Sequence, residues 1–207
     1  MTKAKFIVFE GNEGTGKSTH IDFTSDYLTK NNIKHIVTRE PGGTPAGESI
    51  RKILLDNKSN LDPFSESLLF YASRIINYHS VILKALDNGK SVICDRFHYS
   101  TLVYQGLSKI NQNVINLHKS LDKYFAEKIS LIFYLDADID TCLSRINKRE
   151  SSDKFESKGK KFLEKIQKSY SEVFKDNKKA IKVETNQDKD IVNKTIIKNI
   201  DKLFNDK

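Results

Sequence analysis

The apolar run Phe6-Ile7-Val8-Phe9 passes through Glu10 into Gly11-Asn12-Glu13-Gly14-Thr15-Gly16-Lys17-Ser18. No other stretch constrains the chain so tightly. The spacing G-x-x-x-x-G-K-[ST], set between a strand and a helix, is the Walker A phosphate loop. Its glycines let the backbone curl until successive N–H groups point at phosphate oxygens, and the helix that follows adds its positive end. Lys17 then reaches the β- and γ-phosphates, and the Ser18 hydroxyl ligates Mg²⁺. Gly11, Asn12, Glu13, Gly14, Thr15, Gly16 and Thr19 complete the expected ATP cradle. A GTP-reading N-K-x-D is missing; Asn147-Lys148-Arg149-Glu150 comes nearest and lacks the Asp.

Short β-rich apolar runs occur at residues 6–9, 35–38, 91–94, 129–135 and 180–183, separated by longer helix-like segments. Strands alternating with helices imply an α/β fold, a parallel sheet covered on both faces. Asp62-Pro63 reads as an N-cap with Pro in the first turn. From there Phe64, Leu68, Tyr71, Ile75, Tyr78 and Ile82 recur along one helical face, and Asn88-Gly89 ends it. Asp138 and Asp188 read as caps of two further helices. Residues 148–161 are polar and charged, and read as a mobile loop.

The chain has 207 residues, enough for one domain over 1–207. It shows no apolar run near the ~20 residues of a membrane span and no export signal, so a cytoplasmic protein is expected. Cys94 and Cys142 lie in apolar segments and read as buried thiols. The net charge of +8 suits polyanionic small molecules. Nucleic acid is the less favoured partner, because neither an aromatic-plus-basic sheet pattern nor zinc-finger spacing is present.

Val92-Ile93-Cys94-Asp95-Arg96 reads as a buried strand ending in an acid and a base. Ligands of such sheets bind at the strands' carboxyl ends. Asp95 is therefore a candidate Mg²⁺ ligand, direct or through water, and Arg96 a phosphate fork. Arg39, before the turn Pro41-Gly42-Gly43, adds a third cation to Lys17 and Arg96. A lid over residues 146–160 could bring Arg149 and Lys154 onto a transferring phosphoryl group. Phe70 and Arg74, one turn apart, are either a base-stacking pair or a second packed face. Ser100, Thr101, Tyr104 and Gln105 offer polar groups one turn beyond Arg96.

Together these pieces resemble the bacterial thymidylate kinases over nearly the whole chain. The likeness rests on Phe9-Glu10-Gly11, Gly16-Lys17-Ser18-Thr19, residues 38–44, Leu69-Phe70 with Arg74, Asp95-Arg96-Phe97, Tyr104-Gln105-Gly106, and Arg145, Arg149 and residues 153–156. It implies a three-layer αβα nucleoside monophosphate kinase fold with five parallel strands and a lid, usually homodimeric. The implied reaction moves the γ-phosphate of ATP to dTMP, toward dTTP. It also implies roles by position. Glu13 would meet the acceptor's 3′-hydroxyl, Phe70 stack on thymine, Arg74 bond its O4 edge and Thr101 read N3. Tyr104 would crowd the 2′ position, Arg39 and Arg96 hold the acceptor phosphate, and Arg145 pack on adenine. The chain departs from the family in its lid, where Lys154 replaces an arginine and Glu150-Ser151-Ser152 supplies no glycine. The lid cation is thus Lys154 or Arg149. Rival readings are a kinase of the same fold with another deoxynucleotide or deoxynucleoside acceptor, and, more distantly, a non-catalytic nucleotide- or nucleic-acid-binding module.

Overall fold

A computed structural model describes residues 3–148, 155 and 158–205. Five parallel strands form one sheet in the order β2-β3-β1-β4-β5. They are β1 (Phe6–Gly11), β2 (His35–Arg39), β3 (Ser91–Asp95), β4 (Leu131–Asp136) and β5 (Ala180–Glu184). The helices are α1 (Lys17–Lys30), α2 (Pro45–Leu55), α3 (Pro63–Asn77), α4 (Lys84–Asp87), α5 (His98–Thr101), α6 (Gln112–Ala126), α7 (Ile139–Asn147), α8 (Lys160–Phe174) and α9 (Lys189–Asn205). The parallel three-layer α/β architecture is as expected.

Side chains of a strand alternate between the two faces of its sheet. Phe6, Val8, Cys94, Ile132 and Tyr134 pack on one side with α3, α6 and α8. Ile7, Phe9, Ile93, Phe133 and Leu135 pack on the other with Leu28 of α1 and Ile196 and Ile200 of α9. All of β1 is buried, which is why its sequence is apolar over residues 6–9. The parallel register sets Arg39 and Phe9 beside Asp95. The candidate cations and acid therefore share one edge of the sheet.

Asp62 caps α3, its Oδ1 accepting from Phe64 N at 2.9 Å and Ser65 N at 3.1 Å, with Pro63 in the first turn. Such a cap satisfies two of the helix's otherwise unpaired N–H groups. The helix continues through a π-helical stretch, Tyr78–Leu83, into α4 and stops at Gly89. The apolar stripe expected along it is corrected in part. Tyr71, Tyr78 and Ile82 are buried, but Leu68 and Ile75 are exposed, by 47% and 39%. Ser67, Phe70, Ser73, Arg74 and Asn77 are buried on this helix instead. Much of this buried face is satisfied by polar partners, so apolar periodicity could not mark it.

Asp138 makes no side-chain cap; its backbone N–H donates to Asn186 Oδ1 at 2.9 Å. Asp188 does begin α9, accepting from Asp190 N at 2.8 Å. Cys94 and Cys142 are buried and unpaired. No helix among the described residues is long and apolar enough to cross a membrane.

Candidate active site

Between β1 and α1 the phosphate loop is pressed onto α7. Gly14 has φ +77°, and a Cβ there would lie 2.8 Å from Cys142 Cα. Only glycine suits both the conformation and the space. Two loop side chains maintain its shape. Asn12 Nδ2 donates to Leu163 O at 2.8 Å, and Thr15 Oγ1 donates to Asn12 O at 2.8 Å. Lys17 Nζ donates to Asn12 O at 2.8 Å and Gly11 O at 3.2 Å. Burial, then the nearby Arg96, push the Lys17 pKa down. Gly16 precedes α1, and Ser18 and Thr19 lie exposed in its first turn.

A cavity of about 260 Å³ opens over the sheet edge. At one end it meets Glu13, Gly14, Gly16, Lys17, Ser18, Asp95 and Arg96. Arg96 has φ +64°, unusual for a side chain this large. Its guanidinium is fixed on all sides. Nη1 donates to Gly11 O at 2.8 Å, Tyr170 OH at 3.1 Å and Ser100 Oγ at 3.2 Å. Nη2 donates to Glu13 Oε1 at 2.5 Å and Tyr104 OH at 3.3 Å. Arg39 is more open, paired with Glu48 at 3.0 Å with its side chain 55% exposed.

At the other end α3 supplies Phe70 and Arg74. Arg74 is 1% exposed. Its Nε donates to Glu40 Oε2 at 2.5 Å, Nη1 to Thr101 Oγ1 at 3.0 Å and Nη2 to Phe97 O at 3.1 Å. Phe70 and Arg74 are both packed in the fold, and both also line the cavity. Phe155 stands 6.5 Å from the Phe70 ring and 5.6 Å from the Tyr104 ring. Gln105 lines the same wall, but its Nε2 is engaged by Glu66 Oε2 at 2.9 Å.

Two wall residues, Glu40 and Arg51, and one residue buried behind the wall, Glu10, escaped sequence reasoning. Glu10 is fully buried and accepts from Phe97 N, Ser100 N, Ser100 Oγ and Tyr170 OH at 2.6–3.2 Å. Burial pushes its carboxyl pKa up against the pull of Arg96. Its signal was an acid inside an otherwise apolar strand. Glu40 holds Arg74 and is pushed up to about 7 by burial, which outweighs the attraction of Arg74. Arg51 of α2 also lines the cavity, donating to Pro41 O at 2.9 Å. Nothing local distinguishes it from other surface arginines.

Asp95 Oδ1 is buried and has no hydrogen-bond partner among the described residues. Buried polar atoms are normally paired. Asp95 lines the same cavity as Ser18, and a carboxylate with a hydroxyl is a donor set a hard cation such as Mg²⁺ takes. The two residues therefore fit the ion expected of them.

Behind the loop lies a second cavity of about 380 Å³, bounded by Gly14, Gly16, Thr19, His20, Arg145 and Thr185 among others. Arg145 is held there, Nη2 donating to Thr185 O at 2.8 Å and Nη1 to Gly14 O at 3.3 Å. The structure thus brings most of the predicted residues to two adjoining cavities that share Gly14 and Gly16, while Gly11, Asn12 and Thr15 line neither. Arg149 and Lys154, the expected lid cations, lie outside the described residues.

The thymidylate kinase family profile matches residues 9–196. A thymidylate kinase of Francisella tularensis subsp. tularensis (strain SCHU S4 / Schu 4) is 38% identical over 214 residues, covering 98% of each chain. One of Caldicellulosiruptor saccharolyticus is 38% identical over 204 residues, again with 98% of each covered. With the loop, the sheet-edge acid and base, and the Phe70–Arg74 wall in one fold, this chain belongs to the thymidylate kinase family.

Proposed function

We propose that this protein is a dTMP kinase, which transfers the γ-phosphate of ATP to dTMP and yields ADP and dTDP. One observation carries the reading. A single cavity runs from Lys17, Asp95 and Arg96 to Phe70, Arg74 and Thr101, so a phosphate end and a base end fit one acceptor nucleotide.

In this reading the ATP phosphates sit in the loop of residues 11–18, with the adenine side toward Arg145. Thymine stacks on Phe70, and Arg74 and Thr101 meet its polar edge. Tyr104 crowds the 2′ position and Glu13 meets the 3′-hydroxyl. The acceptor phosphate lies near Arg39 and Arg96, and its oxygen attacks the γ-phosphorus in line. No general base is needed, because that oxygen is anionic at neutral pH. Catalysis is then mostly positioning and charge neutralisation. Mg²⁺, held by Ser18 and Asp95, would neutralise charge on the donor phosphates. Arg149 or Lys154 supplies the lid cation within residues 146–160.

Two further readings accompany this one. The half-exposed Leu68 and Ile75 on α3, and Ile53 on the adjoining α2, support a homodimer formed through these helices. The buried, unpaired Cys94 and Cys142 support a cytoplasmic setting.

The direct test is a panel of nucleoside monophosphates assayed for ADP release. dTMP should stimulate turnover well above dUMP, dGMP and UMP, and Lys17→Ala should abolish it while leaving dTMP binding largely intact. Preference for a purine acceptor would overturn the assignment.

A further inference from the structure

A buried polar cluster outside both cavities takes no part in the chemistry above. It lies where α5 packs on α6. His98 Nε2 is 2.9 Å from Asp122 Oδ1, and His118 Nε2 is 3.6 Å from the same oxygen. His118 and Asp122 are one turn apart on α6. The other nitrogen of His118, Nδ1, is 3.2 Å from Tyr71 OH on α3.

The direction of each hydrogen bond follows from the carboxylate. An ionised Asp only accepts. His98 therefore donates from Nε2, and His118 turns its own Nε2–H toward Asp122. That leaves His118 Nδ1 as a bare acceptor, and the Tyr71 hydroxyl donates to it. The Asp122 carboxylate thus fixes the His98 tautomer through a hydrogen bond, and its charge, 3.6 Å from His118 Nε2, favours the His118 tautomer that accepts from Tyr71. Burial is the main cause keeping the rings neutral, pushing His98 down to about 4 and His118 to about 3. The bond from His98 is the main cause holding Asp122 down.

The three groups also place ligand atoms within 4.8 Å of one another, a spacing open to a metal. However, His98 Nδ1 is buried without a hydrogen-bond partner among the described residues. A metal on Nε2 would force the proton onto Nδ1 and bury an N–H with no acceptor, whereas ligating histidines normally donate that proton. The hydrogen-bonded network suits the site better.

The network ends on the two rings that hold Arg74. The guanidinium lies 5.0 Å over the Tyr71 ring and 5.6 Å over the Phe97 ring. Tyr71 takes its direction from His118. Phe97 precedes His98 in the chain and meets its ring edge-on at 5.2 Å. Phe125 backs both, 6.2 Å from Tyr71 and 5.4 Å from Phe97. We propose that His98, His118 and Asp122 are positioning residues for Arg74, which set affinity for the acceptor base without touching it. The proposal rests on Arg74 being a contact of that base.

The test is steady-state kinetics against dTMP and ATP for His118→Phe, Asp122→Asn, Arg74→Lys and the double variant His118→Phe/Arg74→Lys. The first two should raise KM for dTMP about five- to tenfold, with kcat and KM for ATP within about twofold. The double variant should be little worse than Arg74→Lys alone, because both changes remove one interaction. Tyr71→Phe/His118→Phe replaces both hydrogen-bonding partners by apolar rings and should recover any thermal stability lost in His118→Phe, yet keep the raised KM. Recovery of KM together with stability would reduce the cluster to a structural role and overturn the proposal. So would an unchanged KM in the first two variants while Arg74→Lys raises it. If Arg74→Lys itself leaves KM for dTMP unchanged, the reading of the pocket fails first, and the positioning role with it.

Discussion

Arg96, at the end of β3, and Glu13, in the phosphate loop, form an ion pair of 2.5 Å inside the cavity, with side chains only 13% and 15% exposed. The pair ties the loop to the neighbouring strand. Arg96 also donates to Gly11 O, Ser100, Tyr104 and Tyr170, so its charge is held in place before any phosphate arrives. Such preorganisation is what charge stabilisation in a transition state requires.

Arg96→Lys should therefore be far from conservative. A lysine keeps the charge but has no planar fork to make these contacts together. We expect kcat to fall on the order of 10²–10³-fold, the scale of losing one preorganised donor. A near-normal kcat in a coupled ADP-release assay would remove Arg96 from the phosphate site.

Asp95→Asn should raise the Mg²⁺ concentration needed for half-maximal rate. The substitution keeps the size of the side chain and removes the charge from the oxygen that has no partner. An increase of about tenfold or more is expected, as for loss of one metal-orienting group. A Mg²⁺ titration identical to that of the unaltered protein would sink the assignment.

Phe70→Ala should weaken dTMP binding by about 1–3 kcal/mol, the worth of one base–aromatic stack. ATP binding should be untouched, since Phe70 lies at the far end of the cavity from the loop. Calorimetry with each nucleotide separates the two effects. Equal losses for both nucleotides would point to general unfolding of the wall.

Glu40 gives a pH test. Its folded pKa, about 7, lies above its ordinary 4.5. Between those values the folded state keeps a proton that the unfolded state has released, so this group's contribution to stability falls as pH rises through the window. Glu40→Gln removes the titration. The melting temperature of the unaltered protein, measured relative to that variant, should decline from about pH 4.5 to about pH 7. A relative stability that stays flat across this window would show that Arg74 keeps Glu40 ionised throughout.

Ile75→Glu, with Leu68→Glu as a second probe, should produce monomers in sedimentation velocity if α3 forms the dimer surface. Both residues are exposed in the single chain, so neither change disturbs the core. Dimers that persist in the double variant would move the interface elsewhere.

Most of the fold and much of the site could be read from the sequence, because short-range chemistry specifies them. A phosphate loop needs its glycines and lysine at fixed spacing, and a strand buried on both faces reads as an apolar run, as β1 does over residues 6–9 before Glu10. The Phe70–Arg74 wall was harder. Apolar periodicity marked Leu68 and Ile75, which the fold leaves exposed, while the buried helix face carries polar groups satisfied by partners far along the chain. Asp138 shows the same limit at short range: it stands in a capping position, but only the packing of the loop at Asn186 decides which of its groups bonds.

Local periodicity and strand order suffice for the parallel α/β sheet, the phosphate loop and the edge that gathers Arg39, Asp95 and Arg96. Long-range packing is what lets Glu10 collect donors from Phe97, Ser100 and Tyr170, buries the Glu40 carboxyl against Arg74, and sets Asp122 behind the rings bracketing Arg74. Those partners lie up to 160 residues apart. Whether a buried acid is a liability or a fixed point depends on which donors the chain brings back to it, and no local pattern records that.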